Sequence, residues 1–493
     1  MTLDELLNLV SSNKAPGLCA DSRLVKAGDI FVAVKGTICN GHDFINQALA
    51  GGAKYIVCQR LQGSHKSRAA GCEIITVENS AEAAALLAQA SRVNPASQLT
   101  NLAVTGTNGK TTVAYLVRSC IQRAGEKCGL IGTITYDTGL DSSEAALTTP
   151  DSLRIAAVQQ QMLKAGSKYM VIEASSHALA QNRLAGIEFK AAAFTNLAGD
   201  HLDYHKTKEH YLSAKTKLFS SLPPDATAVL NKQSSEAKLV AEQTPAKILW
   251  FAVNEPADLT AHIESTDITG SVFVLEHAGQ STIVRTPLLG RYNVSNHLAA
   301  AGLCLAAGFD LETVATGLSA LKAIPGRLEK VYWNGNFSVF IDYAHTDDAL
   351  KNVLVTLKPF CKAKLTVVFG CGGDRDRTKR PRMASVAEQW ADSVIVTSDN
   401  PRTEKPDDII NEIVAGFEKG PAIPRTQLRA TNDERRATKI IEPDRRKAIE
   451  LAIETADKDD IVLIAGKGHE TYQIIGTQKS DFSDKDIAQE CLH

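Results

Sequence analysis

Residues 105–112 read Thr-Gly-Thr-Asn-Gly-Lys-Thr-Thr, and this stretch decides how the middle of the chain folds. A short apolar segment, residues 102–104, precedes it, and residues 113–120 after it suit a helix. A buried strand, a glycine-containing turn and a helix N-terminus direct several backbone N–H groups at one point, where the helix dipole favours an anion. Lys110 adds a positive charge for terminal phosphates, and the threonines after it offer a hydroxyl to Mg²⁺. The stretch predicts a nucleotide-binding loop.

The loop departs from the common GxxxxGK[ST] pattern, because Val104 stands where that pattern has its first glycine. A Gly-Lys-Thr match alone also occurs by chance in turns. The flanking strand and helix make nucleotide binding the stronger interpretation. We therefore expect a shorter variant of the phosphate loop.

The bulk composition is that of an ordinary globular protein. A chain of 493 residues suggests about three domains. Its formal net charge of −2 lacks the basic excess of a nucleic-acid-binding or membrane-surface protein. We expect a small-molecule partner and no nucleic acid.

The cysteines and the N-terminal residues give indications of the cellular compartment. Ten cysteines are scattered without a CxxC pair, which is typical of reduced thiols. Residues 1–5 carry acid where a signal peptide carries base. The longest uncharged apolar stretch, around 298–309, is too short for a membrane span. We expect a soluble, cytoplasmic protein without membrane insertion that acts as a monomer.

The chain divides into three blocks, residues 1–95, 96–325 and 326–493. Asn94-Pro95-Ala96-Ser97 is suited to a linker, and Ile324-Pro325-Gly326-Arg327 interrupts the pattern before the third block. Strand-like and helix-like segments alternate, which predicts an α/β protein with mostly parallel sheets and ligands at the carboxyl ends of strands. The predicted strands are residues 29–34, 55–58, 168–173, 193–196, 226–231, 339–342, 365–370, 394–397 and 461–465.

Two acidic or histidine-containing segments of the second block are candidate metal sites. Glu173 ends a predicted strand, where a carboxylate suits Mg²⁺, although the local sequence is equally compatible with an exposed loop acid. His201 and His205 have a spacing that could hold zinc on a helix. Because no HExxH arrangement is present, capping and surface roles are favoured over zinc.

Three polar turns of the third block follow predicted strands: residues 372–377, 399–402 and 466–470. Carboxyl ends of parallel strands share one edge of a sheet, so these turns predict a binding rim. Arg375 and Arg402 could each grip a carboxylate bidentately, and Glu470, within the third turn, could meet an ammonium. Any single turn could be an ordinary solvated connection, but three with complementary charges favour a site.

Together these stretches resemble the Mur ligase family over essentially the whole chain, and most closely its members that add a diamino acid to a UDP-muramoyl dipeptide. The resemblance implies an N-terminal UDP-sugar-binding α/β domain, a central P-loop ATPase-like domain and a C-terminal amino-acid-binding, Rossmann-like domain. The motifs that carry it are TGTNGKTT, EASSHAL, DHLDYH, GRYNVSNHLAA, PGRLE, DYAHTDDAL, FGCGGDRDRTKRP, SDNPRTE and AGKGHETYQ.

The resemblance also implies a reaction in peptidoglycan precursor synthesis. ATP, with Mg²⁺, would phosphorylate the D-Glu γ-carboxylate of UDP-MurNAc-L-Ala-D-Glu to an acyl phosphate. The amine of meso-diaminopimelate would then displace phosphate. Such chemistry needs charge neutralisation and alignment more than a protein nucleophile.

By the same resemblance, Lys110, Glu173, His201 and Lys215 would be catalytic. Lys215 matches a lysine that is carbamylated in the family; an ammonium cannot bind Mg²⁺, whereas a carbamate offers anionic oxygens. The implied Mg²⁺ set is Thr111, Glu173, His201 and Lys215 as its carbamate. The implied nucleotide-contacting or domain-closing residues are Gly106, Thr107, Asn108, Gly109, Lys110, Thr111, Thr112, Asn293, Arg327, Asp342 and His345.

Substrate residues follow in two groups. The UDP-sugar dipeptide would meet Ser22, residues 37–39, Thr148, Thr149, Ser175, Gln181 and Arg183. Here Leu147 stands where many relatives carry Asn, and Thr37-Ile38-Cys39 is not the usual set. Diaminopimelate would meet Arg375, Asp399, Asn400, Pro401, Arg402, Gly466 and Glu470.

Three rival interpretations compete with this one. Lysine addition is disfavoured, because lysine has no distal carboxylate for Arg402 and would leave it unpaired. A folylpolyglutamate synthase shares the GTNGK loop, but the paired threonines and the Asp-Asn-Pro-Arg turn fit it poorly. A regulatory P-loop ATPase or kinase would leave the polar turns unexplained and would turn over nucleotide without any UDP-sugar.

Overall fold

The computed structural model describes residues 1–12, 16–36, 39–59, 71–199, 202–428 and 438–493. Across these ranges the chain forms three α/β domains in sequence order, each built on its own sheet. The predicted fold class is confirmed, whereas the boundaries at residues 95 and 325 stay predictions. All ten cysteines are free thiols. Among the described helices, none combines the length and apolar character needed to cross a membrane.

The N-terminal domain is a four-stranded parallel sheet with helices on both faces. Alternate residues of β2 and β3 bury their side chains against α1 and α3 on one face and α2 on the other. The elements are β1 Leu18–Cys19, β2 Ile30–Val32, β3 Tyr55–Gln59, β4 Glu73–Val77, α1 Leu3–Val10, α2 Ile45–Ala50 and α3 Ser80–Ala90.

The central domain has an eleven-stranded sheet whose strands are β5 Thr100–Thr105, β6 Cys128–Ile131, β7 Thr135–Asp137, β8 Ser142–Glu144, β9 Tyr169–Glu173, β10 Ala191–Phe194, β11 Thr227–Asn231, β12 Lys247–Val253, β13 Leu259–Asp267, β14 Gly270–His277 and β15 Gln280–Thr286. Their order is β15-β14-β13-β12-β11-β10-β5-β9-β6-β7-β8. The middle of the sheet is parallel, and each end is extended by antiparallel strands.

Helices cover both faces of this sheet. The cluster on one face contains side chains of α4, α10 and α11, and the cluster on the other contains side chains of α5 and α8. The apolar strands β5, β9 and β10 are buried between them, as expected of central parallel strands. The helices are α4 Lys110–Arg123, α5 Ser152–Lys164, α6 Ser176–Ala180, α7 Leu202–His205, α8 Lys208–Ser220, α9 Ala237–Ala241, α10 Arg291–Ala306 and α11 Leu311–Ala320.

The C-terminal domain has a seven-stranded sheet of order β16-β17-β22-β18-β19-β21-β20, parallel except for β16, and a separate hairpin β23–β24. Its strands are β16 Glu329–Val331, β17 Ser338–Asp342, β18 Leu365–Phe369, β19 Ser393–Val396, β20 Ile423–Pro424, β21 Lys439–Ile441, β22 Ile461–Ala465, β23 Tyr472–Ile475 and β24 Gln478–Asp481. Its helices are α12 Asp347–Leu357, α13 Lys379–Trp390, α14 Pro406–Val414, α15 Arg445–Glu454 and α16 Asp484–Leu492.

Candidate active site

The phosphate loop joins β5 to α4 through two glycines in the left-handed region. Gly106 has φ +148° and Gly109 has φ +90°. A Cβ at Gly106 would collide with the Thr195 hydroxyl, and one at Gly109 with the Asn296 amide. Because glycine alone adopts such φ values without strain, both positions are fixed by backbone geometry. The loop therefore delivers the N-terminus of α4, beginning at Lys110, to the carboxyl edge of the sheet.

Two lysines converge on the same loop carbonyl. Lys110 Nζ donates to the carbonyl oxygens of Gly106 and Thr107, each at 2.9 Å. Lys215, which is 1% exposed, donates from Nζ to the Gly106 carbonyl at 2.7 Å and lies 4.5 Å from the Tyr211 ring centroid. Lys110 and Lys215, the two predicted catalytic lysines, therefore lie together at the phosphate loop, although they are 105 positions apart in the sequence.

Glu173 ends β9 and is fully buried, so the alternative of an exposed loop acid is wrong. Its Oε2 accepts from the Thr111 hydroxyl at 3.0 Å and the Thr133 hydroxyl at 2.9 Å, and its Oε1 accepts from the Thr133 N–H at 2.8 Å. Thr111 also accepts from Arg327 Nη2 at 3.0 Å. This arrangement joins the helix start, the neighbouring strand and the C-terminal domain around one carboxylate.

The histidine-rich segment yields no zinc site among the described residues, where no group of three metal-ligating side chains occurs. His205 is buried and packs against the rings of His177, Tyr204 and Tyr211, with centroids 5.5, 4.7 and 5.2 Å away. His201, the predicted Mg²⁺ ligand, lies outside the described residues.

The C-terminal domain closes over the loop from the opposite side. Asp342 ends β17, is buried, and accepts from the N–H groups of Leu328 at 2.5 Å and Ala344 at 2.8 Å. Burial raises the pKa of Asp342 to about 6, against the opposing effect of Arg327. Asn108 of the loop donates from Nδ2 to Asp348 Oδ2 at 2.8 Å.

A pocket of about 190 Å³ lies between these two walls. It is lined by predicted nucleotide or metal residues of both domains, namely Thr107, Asn108, Gly109, Lys110, Thr111, Thr112, Glu173, Arg327, Asp342 and His345. Asn293 does not line it: its Oδ1 accepts from Asn296 Nδ2 at 3.1 Å, and it is Asn296 that abuts Gly109. Asn293 therefore reaches the phosphate loop through Asn296, and its nucleotide-contacting or domain-closing role stays a prediction.

A second cavity, of about 1230 Å³, continues from this pocket between the central and C-terminal domains. Thr133, Thr148, Tyr343 and His345 line both spaces. The predicted substrate residues that line the larger one are Thr148, Thr149, Ser175, Gln181, Arg183, Arg375, Asp399, Asn400, Arg402, Gly466 and Glu470.

Of the predicted substrate residues that the structure describes, Ser22, Cys39 and Pro401 do not line that cavity. Ser22 lies in the N-terminal domain, where its hydroxyl donates to Gln47 Oε1 at 2.9 Å. Pro401 is buried. Residues 37 and 38 lie outside the described ranges, and Cys39 is exposed. Leu147, at the position that departs from the family pattern, does line the cavity.

On the central-domain wall, side chains are fixed by contacts that lead back to the phosphate loop. Arg183 donates from Nη1 to the Thr149 carbonyl and from Nη2 to Gln181 Oε1, both at 2.7 Å. The Thr149 hydroxyl donates to the Glu173 carbonyl at 2.5 Å, and the Thr148 and Thr133 hydroxyls are 3.1 Å apart. The wall therefore continues without a break from the carboxylate of Glu173.

On the opposite wall, the Asp-Asn-Pro-Arg turn is held to the hairpin β23–β24. Arg402 has φ +52°, its N–H donates to the Ile474 carbonyl at 3.1 Å, and its carbonyl accepts from Gly476 at 2.7 Å. Its Nη1 donates to the Gly373 carbonyl at 2.9 Å. Arg375 is exposed, at the mouth of the cavity. The three polar turns thus form one rim, as the sequence predicts.

Sequence reasoning missed the buried charged residues that contact these turns without lining the cavity. Arg380 is fully buried and donates to Glu404 at 2.8 and 2.9 Å and to Glu412 at 2.8 Å. Its guanidinium holds the pKa of Glu404 down at about 2. Arg445 and Asp484 form a fully buried ion pair at 2.7 Å. Arg380 lies within the quoted FGCGGDRDRTKRP motif, but nothing local marks it as buried.

Arg380→Met is expected to lower the free energy of unfolding by about 3 kcal/mol, because two carboxylates lose their buried partner while keeping some solvent access. Arg377→Met is the matched control, since Arg377 also pairs with Glu412 but its side chain is 63% exposed. Urea unfolding of both variants checks this prediction. Equal losses would contradict the role given to the buried guanidinium.

The fold and the cleft define a class of protein: a three-domain α/β protein with a phosphate-loop motif and a cleft between its second and third domains. Family profiles give a more particular answer. The Mur ligase family catalytic domain matches residues 15–92, the Mur ligase middle domain 104–304, and the Mur ligase glutamate ligase domain 326–468. The chain belongs to the Mur ligase family.

Comparisons with individual proteins show which members of the family the chain is similar to. The chain is 41% identical over 475 residues to the UDP-N-acetylmuramoyl-L-alanyl-D-glutamate–2,6-diaminopimelate ligase of Geobacillus thermodenitrificans, covering 95% of this chain and 93% of that protein. A solved structure of a ligase of that name is 33% identical, with TM-score 0.66 over 97% of this chain and 94% of that one. MurF of Thermotoga maritima in complex with ADP shares the fold at 18% identity, with TM-score 0.61 over 98% of each chain.

Proposed function

We propose that this protein is an ATP-dependent ligase that joins meso-diaminopimelate to the D-Glu γ-carboxylate of UDP-MurNAc-L-Ala-D-Glu in peptidoglycan precursor synthesis. The observation that carries the proposal is the continuous cleft from the phosphate loop, past Glu173, to the Asp-Asn-Pro-Arg turn. Relatives named as this ligase at about 40% identity over nearly the whole chain support it.

The nucleotide end of the cleft suits ATP and Mg²⁺. The loop N–H groups, the α4 N-terminus and Lys110 favour the polyphosphate. The carboxylate of Glu173 and the hydroxyl of Thr111, 3.0 Å apart, are the hard oxygen ligands that Mg²⁺ prefers. A carbamate on Lys215 would add anionic oxygen beside the loop, and His201 completes the proposed set. Bound Mg²⁺ would neutralise charge on the transferring phosphoryl group.

The residues of the cleft align two successive displacements. The D-Glu γ-carboxylate attacks the γ-phosphorus of ATP, and ADP leaves, while Lys110 offsets the charge that develops on the phosphoryl oxygens. The diaminopimelate amine then attacks the acyl carbon, the C–O bond to phosphate breaks, and the nitrogen loses its proton. Thr148, Thr149 and Arg183 line the cavity, and the Thr149 hydroxyl connects them to Glu173; the dipeptide end would be held there.

The rim formed by the three polar turns of the C-terminal domain would select the amino acid. Diaminopimelate carries a carboxylate and an ammonium at its distal end. Arg402 and Arg375 supply cations for that carboxylate, and Glu470 supplies an anion for that ammonium, with the backbone of Gly466 and the turn residues Asp399 and Asn400 around them. L-Lysine has no distal carboxylate and would leave the charge of Arg402 without an anionic partner.

One chain supplies both walls of the cleft, and its proposed substrates are a UDP-linked precursor, ATP and a free amino acid. We therefore propose that it acts in the cytoplasm as a monomer.

The experiment that tests the proposed function is phosphate release from Mg-ATP in the presence of UDP-MurNAc-L-Ala-D-Glu, with meso-diaminopimelate, L-lysine or no amino acid. Release that depends on diaminopimelate, with formation of the tripeptide product, is expected. Equal or greater release with lysine would retain a ligase but overturn the specificity. Release indifferent to both amino acids would favour the generic ATPase.

Asp348→Ala is expected to lower kcat about tenfold, because it removes the hydrogen bond from Asn108 that joins the phosphate loop to the third domain. Asp347→Ala is its matched control: the neighbouring carboxylate pairs with Arg382 on the exposed surface. Steady-state kinetics of both variants, with thermal unfolding to verify folding, check this. Equal kcat values for the two variants would contradict a closing role for Asp348.

A further inference from the structure

Lys467 is a fully buried cation directly behind the amino-acid rim. It follows Gly466 at the end of β22, is 0% exposed, and is not among the described residues that line the large cavity. Its Nζ donates to Asn400 Oδ1 at 3.1 Å and to Glu470 Oε2 at 3.2 Å. It also lies 5.6 Å from the Tyr472 ring. A buried lysine needs a compensating anion, and here that anion is a cavity-lining carboxylate.

The same lysine sets the orientation of the Asn400 amide. Oδ1 of Asn400 accepts from both Lys467 Nζ and the Ile474 N–H, the latter at 3.0 Å. The amide nitrogen therefore turns toward Glu470 and donates to its Oε2 at 2.8 Å. Among the described residues, both donors to this carboxylate reach Oε2, which leaves Oε1 for a ligand in the cavity.

Several neighbouring groups act on the pKa of Glu470, which is raised overall. Burial raises the pKa of the Glu470 carboxyl, and Asp399 raises it further, whereas Lys467 and the Asn400 amide lower it. Tyr343, Tyr472 and Arg445 also interact with Glu470, and Arg445 is itself paired with Asp484. Lys467 is the cation in direct hydrogen-bond contact with the carboxylate.

We propose that Lys467 is a positioning residue for amino-acid selection, which fixes the Glu470 carboxylate and the Asn400 amide by hydrogen bonds and aims Oε1 of Glu470 at the distal ammonium of the incoming diamino acid. This inference rests on the proposed function and deepens it. Lys467 does not touch the amino acid and acts through Glu470 and Asn400. The chemistry recognised is a distal zwitterion, whose carboxylate goes to the arginines and whose ammonium goes to Glu470.

The test compares Lys467→Met with Lys479→Met. Lys479 lies 3.9 Å from the same Tyr472 ring but is exposed on the hairpin, so it controls for loss of a lysine beside that ring. The probes are meso-diaminopimelate and 2-aminopimelate, which keeps the distal carboxylate and lacks the distal ammonium. Lys467→Met is expected to raise KM for diaminopimelate by at least about tenfold and to leave KM for 2-aminopimelate within about twofold of wild type.

A pH profile and a double variant separate positioning from a merely structural role. Since Lys467 lowers the pKa of Glu470, its loss is expected to move the acid limb of kcat/KM for diaminopimelate to higher pH. In a protein that already carries Glu470→Gln, adding Lys467→Met is expected to change KM for diaminopimelate by less than about twofold, because Lys467 acts through Glu470. Lys467→Gln, which removes the charge and keeps a hydrogen-bond donor, gives the same test if the Met variant does not fold.

Three outcomes would overturn the inference: equal losses with diaminopimelate and 2-aminopimelate, an additive double variant, or unchanged KM in folded Lys467→Met. Failure of the proposed function is distinguishable, because the wild-type protein would then release no phosphate in response to diaminopimelate.

Discussion

Lys215→Ala is expected to lower diaminopimelate-dependent phosphate release about 10²- to 10³-fold, the loss typical of removing one charge-stabilising group from a transition state. The side chain is buried at the phosphate loop, with Nζ 2.7 Å from the Gly106 carbonyl. In the proposed mechanism its carbamate supplies anionic oxygen for Mg²⁺ beside Glu173. Steady-state phosphate release with all three substrates measures the loss.

Two further measurements decide whether the lysine acts as a carbamate or as a cation. Lys215→Arg keeps a positive donor for the Gly106 carbonyl, yet it is expected to be as inactive as the alanine variant. Formate or acetate is expected to restore part of the activity of Lys215→Ala, because a small carboxylate can occupy the vacated space. Activity retained by the arginine variant, or absence of rescue together with no carbamate signal from isotope-labelled bicarbonate, would contradict the carbamate.

Much of the proposed nucleotide site could be predicted because its determinants are local. The glycines at 106 and 109, the lysine after them and the carboxylate that ends β9 each belong to a strand–turn segment. The parallel-sheet rule then brings neighbouring strand ends to one edge without any knowledge of long-range contacts. The same rule explains why the three polar turns of the third domain were predicted to form one rim.

Residues that act from behind the site could not be predicted in this way. Arg380, Lys467 and Arg445 are charged, and charged side chains are by default placed on the surface. Arg380 and Arg445 are buried because carboxylates distant in sequence, such as Asp484 for Arg445, compensate their charges. Lys467 is compensated by the nearby Glu470, but it also needs Asn400, which is 67 positions away. Burial of a charge is a property of the assembled fold, so a local pattern does not reveal it.

Two parts of the central sheet differ from the strands that the sequence pattern predicts. Strand β10 runs over Ala191–Phe194, two residues before the predicted 193–196, because an alanine-rich segment carries little β signal of its own and is set by pairing with β5 and β11. The antiparallel extension β13–β15 was absent from the predicted strands. Its burial alternates along β14, as expected of a sheet with one covered face.

Arg402→Ala is expected to raise KM for meso-diaminopimelate about 100-fold, the loss typical of breaking a buried, hydrogen-bonded charge pair. KM for ATP and for UDP-MurNAc-L-Ala-D-Glu is expected to stay near wild type, because those substrates are assigned to other parts of the cleft. The residual rate with L-lysine is expected to be unchanged or improved, since lysine has no distal carboxylate. Initial rates with each substrate varied in turn measure the three KM values.

Three companion variants separate the guanidinium from the turn that carries it. Arg402 has φ +52°, which strains any residue with a Cβ, so Arg402→Gly keeps the backbone conformation and is expected to show the same KM defect as alanine. Arg402→Lys keeps the positive charge but lacks the planar guanidinium, so its KM for diaminopimelate is expected to lie between the values of wild type and the alanine variant. Arg377→Ala removes an exposed arginine of the neighbouring turn that does not line the cavity. A glycine variant with normal diaminopimelate kinetics would remove Arg402 from the selection of the amino acid, because its side chain alone would then have been lost without effect.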